Sequence, residues 1–100
     1  MTIIFTKLAR SDIDQIVQYI GSELYNPTAA NNLLQKIIKR VKVLGQFPEI
    51  GPPIKINNEL TRSRYLVVDN YLLVYVIRHE TLYITHVVYG RSDYLKFLAG

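Results

Sequence analysis

Two hydrophobic periodicities divide this chain, and their order constrains its fold more than any other feature. From about Lys7 to Gln46 the apolar residues recur at helical spacing. From Arg64 to Tyr89 short runs of β-formers alternate with turn residues. A parallel sheet needs helices between its strands. Helices collected first and strands after them instead specify an α+β domain with an antiparallel sheet.

The helical block begins after a short β-rich start, Thr2 to Phe5. The first helix is expected from about Lys7 to Leu24, with Ile13, Ile16, Val17, Ile20 and Leu24 as its apolar stripe. Asp12, Asp14, Gln15 and Gln18 fall off that stripe and are expected in water. Thr6 is a candidate N-cap and Ser11 a rival. Asn26-Pro27 marks the next start, since Asn caps a helix and Pro at its first position has no amide to leave unpaired. The second helix runs to about Gln46 with Ala30, Leu33, Leu34, Ile37, Ile38, Val41 and Leu44 inward. Joined by a short link, the two form an antiparallel hairpin. Lys36, Lys39, Arg40 and Lys42 crowd its C-terminal half, where they complement the helix dipole.

Phe47-Pro48-Glu49-Ile50-Gly51-Pro52-Pro53 ends the second helix, and the loop extends through Asn57, Asn58 and Glu59. Tyr65 to Val68, the turn Asp69-Asn70 and Tyr71 to Ile77 read as a hairpin. Arg78 to Thr81 makes a second turn, and Leu82 to Tyr89 the next strand. Ser92-Asp93 caps a short last helix, Tyr94 to Leu98. The expected order is β-α-α-β-β-β with a C-terminal helix. The first strand joins the sheet, and the helical hairpin covers one sheet face.

One hundred residues form a single domain, 1–100, with room for one core. The absence of cysteine excludes disulfides and thiolate chemistry. Met1 to Leu8 is too short an apolar stretch for a signal peptide or a membrane span, which points to the cytoplasm. Twelve Lys and Arg against eight Asp and Glu leave a net charge of +4, suited to an acidic partner or a nucleic acid.

Several ordered patterns carry a resemblance. They are Ala9-Arg10-Ser11-Asp12-Ile13, Phe47-Pro48-Glu49-Ile50-Gly51, Arg64 entering a strand, Tyr71-Leu72-Leu73-Val74-Tyr75, and Val88-Tyr89-Gly90-Arg91-Ser92-Asp93-Tyr94. Together with the element order, they make the chain resemble the ParE/RelE superfamily of bacterial type II toxins, nearer ParE. The resemblance implies a small acidic antitoxin partner. It also implies one of two activities. ParE-like members poison DNA gyrase without being enzymes, and RelE-like members cut mRNA on the ribosome without metal or other cofactor.

The ribonuclease chemistry needs a base, an acid and cations converging on the exposed sheet face. Arg64, Arg91 and Tyr94 are the candidate catalytic residues for it, with Lys55, Arg62 and Tyr89 as candidate binding residues. Two departures stand against it. RelE-like enzymes typically carry an arginine after the tyrosine of the central strand, where this chain has Leu72 after Tyr71. Many carry a histidine before Gly-Arg, where this chain has Tyr89, a poor base at an ordinary pKa near 10. His86 alternates with Leu82, Ile84 and Val88 and is expected on a largely apolar face. His79 is expected in a solvated turn. Two isolated histidines without paired carboxylates make no metal site. The expected function is therefore a toxin that inhibits DNA gyrase. A ribosome-dependent mRNA endonuclease and a detoxified antitoxin-binding module are the alternatives.

Overall fold

The computed structural model describes residues 1–90. The elements are β1 (Thr2–Phe5), α1 (Lys7–Gln18), a π-helical turn (Tyr19–Glu23), α2 (Pro27–Gln46), β2 (Pro53–Ile56), β3 (Glu59–Val68), β4 (Tyr71–Arg78) and β5 (Thr81–Tyr89). They build one five-stranded sheet in the order β1-β5-β4-β3-β2, with the two helices on one face. The α+β reading holds. The short helix expected over Tyr94 to Leu98 lies outside the described residues.

Both helix starts form as their sequences dictate. Thr6 Oγ1 accepts the Ala9 amide at 3.1 Å, and Asn26 Oδ1 accepts the Ala29 amide at 3.1 Å with Pro27 at the first helical position. Thr6 is the cap. Ser11 lies within α1 and its hydroxyl accepts from Gln15. The first helical segment is not α-helical to its end. After Gln18 the chain winds into the π turn, and Asn26 N–H reaches back to the Ile20 carbonyl at 3.1 Å. Tyr25 then takes a left-handed φ of 51°, which reverses the chain into α2. Leu24, expected on the buried stripe, is exposed as a result.

The sheet differs from expectation in two ways. Lys55 pairs with Leu60 and Ile56 with Glu59, so the segment expected to be loop forms β2 and the beginning of β3. Asn57 and Asn58 both have positive φ and make the tight hairpin turn between them. The strand β1 joins β5 in parallel, with Thr2 opposite Thr81 and Phe5 opposite Ile84. The other three pairings are antiparallel.

Burial follows the strand alternation. Leu66, Val68, Leu73, Tyr75, Leu82, Ile84 and Val87 face the helices and pack with Ala9, Leu33, Ile37, Val41 and Leu44. Leu72, Val74 and Ile54 form a smaller cluster on the other side, flanked by Ile56, Tyr65 and Val88. The β4–β5 register slips once: Val74 opposes His86 while Tyr75 opposes Ile84. Thr85 is therefore a bulge, which reverses the alternation of every residue after it. That corrects the position of His86. It shares a face with Val88, opposite Val74, and not with Leu82 and Ile84, which face the helices. His86 is half-buried, with Nδ1 3.0 Å from Thr85 Oγ1.

The Thr6 cap supplies a direct test of the helix start. Thr6→Ala should lower stability by about 1 kcal/mol, which is roughly 4–8 °C in Tm for a domain this size, and Ser11→Ala should change it little. Thermal unfolding followed by circular dichroism measures both.

Candidate functional site

The Phe47 to Gly51 segment follows α2 and is fastened to the sheet by two side chains. The Gly51 amide donates to the hydroxyl of buried Tyr75 at 3.0 Å. Arg64 Nη1 donates to the Gly51 carbonyl at 2.8 Å and to the Glu49 carbonyl at 3.2 Å. The Tyr65 amide closes the segment onto the Pro52 carbonyl at 3.2 Å. A Cβ on Gly51 would collide with the Tyr65 carbonyl and stand 2.8 Å from the Tyr75 hydroxyl, so the glycine is required by close approach. Burial raises the Tyr75 hydroxyl above its ordinary pKa, while the Gly51 amide and Arg64 pull the other way. The motif that looked family-like in sequence is thus a fastened corner, and Arg64 takes part in holding it.

Of the other candidate residues, Lys55 and Arg62 lie near Arg64, whereas Tyr89 lies apart. Arg62 is two residues along β3 from Arg64, and β2 meets β3 with Pro53 opposite Arg64 and Lys55 opposite Leu60. Lys55 and Arg62 are exposed on β2 and β3, at one side of the sheet. Tyr89 pairs with Tyr71, whereas Arg64 pairs with Tyr75. Four residues of β4 separate the two, roughly 13 Å along the strand. Arg91 and Tyr94 lie outside the described residues. Leu72, where a ribonuclease would place a cation, is buried in the apolar cluster of Ile54 and Val74. His79 sits in the β4–β5 turn with φ 51° and is exposed. Among the described residues no group of three or more His, Cys, Asp or Glu could hold a metal ion. No helix among them is long and apolar enough to cross a membrane.

A different feature is a recess among the described residues. A groove of about 1050 Å³ opens between the helical hairpin and the last turns of the sheet. Ile16, Ile20, Leu33 and Val87 supply apolar wall, and Tyr19, Tyr71 and Tyr89 bring hydroxyl groups. Tyr71 and Tyr89 meet edge to face, centroids 5.4 Å apart at 73°. Burial, then the neighbouring Tyr89, Tyr19 and Asp69, keep the Tyr71 hydroxyl above its ordinary pKa, so it stays a neutral donor at physiological pH. Lys36 bridges to Asp69 at 3.1 Å and ties α2 to the turn at the rim, an exposed pair worth little by itself. Asp12, expected in water, instead accepts the Val87 amide at 3.0 Å through Oδ2. Sequence reading missed most of this groove because it is made by elements far apart in the chain. The Tyr89 position was its one visible sign.

The family model for the ParE toxin of the type II toxin–antitoxin system parDE matches residues 3–94. The chain belongs to the ParE toxin family. It is therefore a ParE-like toxin of the type II toxin–antitoxin class. A solved structure described as the chromosomal ParDE toxin–antitoxin system from P. aeruginosa shares the fold, with a TM-score of 0.77 and 21% identity. The match covers 91% of this chain and 97% of that one. No curated protein matches the sequence. Membership places the ParE-like resemblance ahead of its RelE-like alternative and fits the burial of Leu72.

The fastened corner gives two stability expectations. Tyr75→Phe strands the buried Gly51 amide and should cost about 1–3 kcal/mol in urea unfolding. The pH dependence follows from the raised Tyr75 pKa. Above the unfolded value near 10 the unfolded chain loses its proton first, so stability should fall as pH rises beyond about 10. Tyr75→Phe should flatten that alkaline decline.

Proposed function

We propose that this toxin inhibits DNA gyrase by binding it, and that a small acidic antitoxin neutralises it in the cytoplasm. Family membership supports the toxin class, and the burial of Leu72 carries the choice of mechanism. A charged side chain at that position would have to be desolvated beside Ile54 and Val74, at a cost of several kcal/mol. That position therefore holds buried apolar packing where a phosphate would need a cation. The ribonuclease alternative also needs an uncommitted cation with an acid or base beside it. Arg64 is committed to two loop carbonyls and Tyr89 stands four residues along β4 from it.

The antitoxin reading draws on the groove. It is mostly apolar, rimmed by polar groups, and of the size that a peptide segment fills. It lies between the helical hairpin and a sheet edge, where a wrapping partner would make contact. The net charge of +4 favours an acidic partner at long range.

Purified toxin added to gyrase and supercoiled plasmid should yield trapped, cleaved DNA and reduced supercoiling, and the same toxin should leave translated mRNA intact. Unimpaired supercoiling together with cuts positioned at codons would replace this reading with the ribonuclease one.

A further inference from the structure

The charge of this chain is unevenly placed. α2 carries Lys36, Lys39, Arg40 and Lys42, with no Asp or Glu between Pro27 and Gln46. The other eight cations of the chain are matched by its eight acidic residues, so the whole net charge of +4 resides on this helix. Lys36 is held by Asp69 at 3.1 Å. Among the described residues no carboxylate reaches Lys39, Arg40 or Lys42, and the buried Nε of Arg40 has no acceptor.

The fold does not account for this cluster. Cations offset a helix dipole within its last turn, and the last turn of α2 holds none. Like charges three or four residues apart are neighbours on a helix and destabilise it. Lys36 stands so to Lys39 and Arg40, and Lys39 to Lys42. The cluster therefore weakens the helix, and no contact of its free members among the described residues offsets the loss. A polyanion would supply the missing partner.

The surface around the cluster selects among polyanions. Leu33, Ile37, Val41 and Leu44 turn one face of α2 into the core. The opposite face, at 100° per residue, runs through Asn31, Asn32, Gln35, Lys39, Lys42 and Gln46, all exposed. Arg40 and Lys42 fall on its two flanks. Lysine, arginine and side-chain amides are the donors that phosphates and base edges accept. A protein partner would find only Ile38 among the exposed large apolar residues of this helix. The helix has no aromatic residue, and single-strand binding relies on stacking upon aromatic rings. The major groove of B-form DNA, about 12 Å wide, admits a helix, whereas that of duplex RNA is too narrow.

We propose that the outer face of α2 binds duplex DNA. Lys39, Arg40 and Lys42 take backbone phosphates, and Asn31, Asn32 and Gln35 lie toward the groove between them. The inference goes beyond gyrase engagement, since it gives the toxin a DNA contact of its own. Its test contains no gyrase, so either reading can fail without the other.

The test titrates intact toxin against a fluorescently labelled DNA duplex of about 20 base pairs and follows anisotropy as salt rises from about 50 to about 200 mM. Three phosphate contacts release counterions with a log–log slope of about −2.7, so affinity should fall about 40-fold over that range. Lys39→Gln with Lys42→Gln should bind more weakly and lose only about 3-fold, the dependence of a single contact. Glutamine keeps the helix propensity, and circular dichroism confirms the fold. Lys7→Gln with Arg78→Gln removes the same charge from exposed sites off α2 and should keep the 40-fold loss. No binding to the duplex by wild-type toxin would overturn the proposal. So would an equal effect of the two double variants, which would make the binding one of net charge alone. Binding to duplex RNA or to a single strand as tight as to duplex DNA would overturn the choice of ligand.

Discussion

The bulge at Thr85 is the constraint on which the groove end of the sheet depends. A strand alternates its faces strictly, so one inserted residue exchanges the inner and outer positions of everything beyond it. Without the bulge His86 would face the helices and Val87 would lie on the other side. With it, Val87 enters the main core opposite Leu73 and Tyr89 comes to lie against Tyr71. The bulge is itself held from both sides. Thr85 Oγ1 donates to the Val74 carbonyl at 3.3 Å, and the Thr85 carbonyl accepts from Thr6 Oγ1 at 3.4 Å. The second of these links the bulge to the cap of α1. The helix that walls the groove and the strand that floors it are thereby placed by the same pair of threonines.

A second constraint acts on the β3 side of β4. Arg64 and Tyr75 hold the Phe47–Gly51 corner by hydrogen bonds to its backbone, and Gly51 sits so close to Tyr65 that no side chain fits. This corner determines how α2 gives way to β2, and so how Ile54 reaches the cluster around Leu72 and Val74. The basic residues that first suggest phosphate chemistry are accordingly divided between a corner brace, Arg64, and exposed strand positions, Lys55 and Arg62.

Much of the architecture was legible in the sequence because it rests on local signals. Asn26-Pro27 named the start of α2, and Thr6, with Ser11 as a rival, marked that of α1. The stripe from Ala30 to Leu44 named the buried face of α2 except at Ile38, which is exposed. Asn57-Asn58 was a legible turn passed over, since two residues able to take left-handed φ between short β-prone runs suit a tight hairpin. Three features were not legible. The parallel docking of β1 is a long-range choice that no local pattern encodes. The π turn arises where Tyr19 to Glu23 must bend toward α2. The bulge has no marker, since Ile84-Thr85-His86-Val87 reads equally well as unbroken alternation, and that reading put His86 on the wrong face. The groove inherits all three, which is why Tyr89 stood out as a candidate while Asp12, Tyr19 and Tyr71 did not.

The proposed action of this ParE-family toxin is engagement of gyrase and not cleavage of RNA. Direct binding separates these most simply. Labelled toxin titrated against purified gyrase and, separately, against translating ribosomes should give saturable binding to gyrase and none above background to ribosomes. Saturable binding to ribosomes with no measurable affinity for gyrase would contradict it.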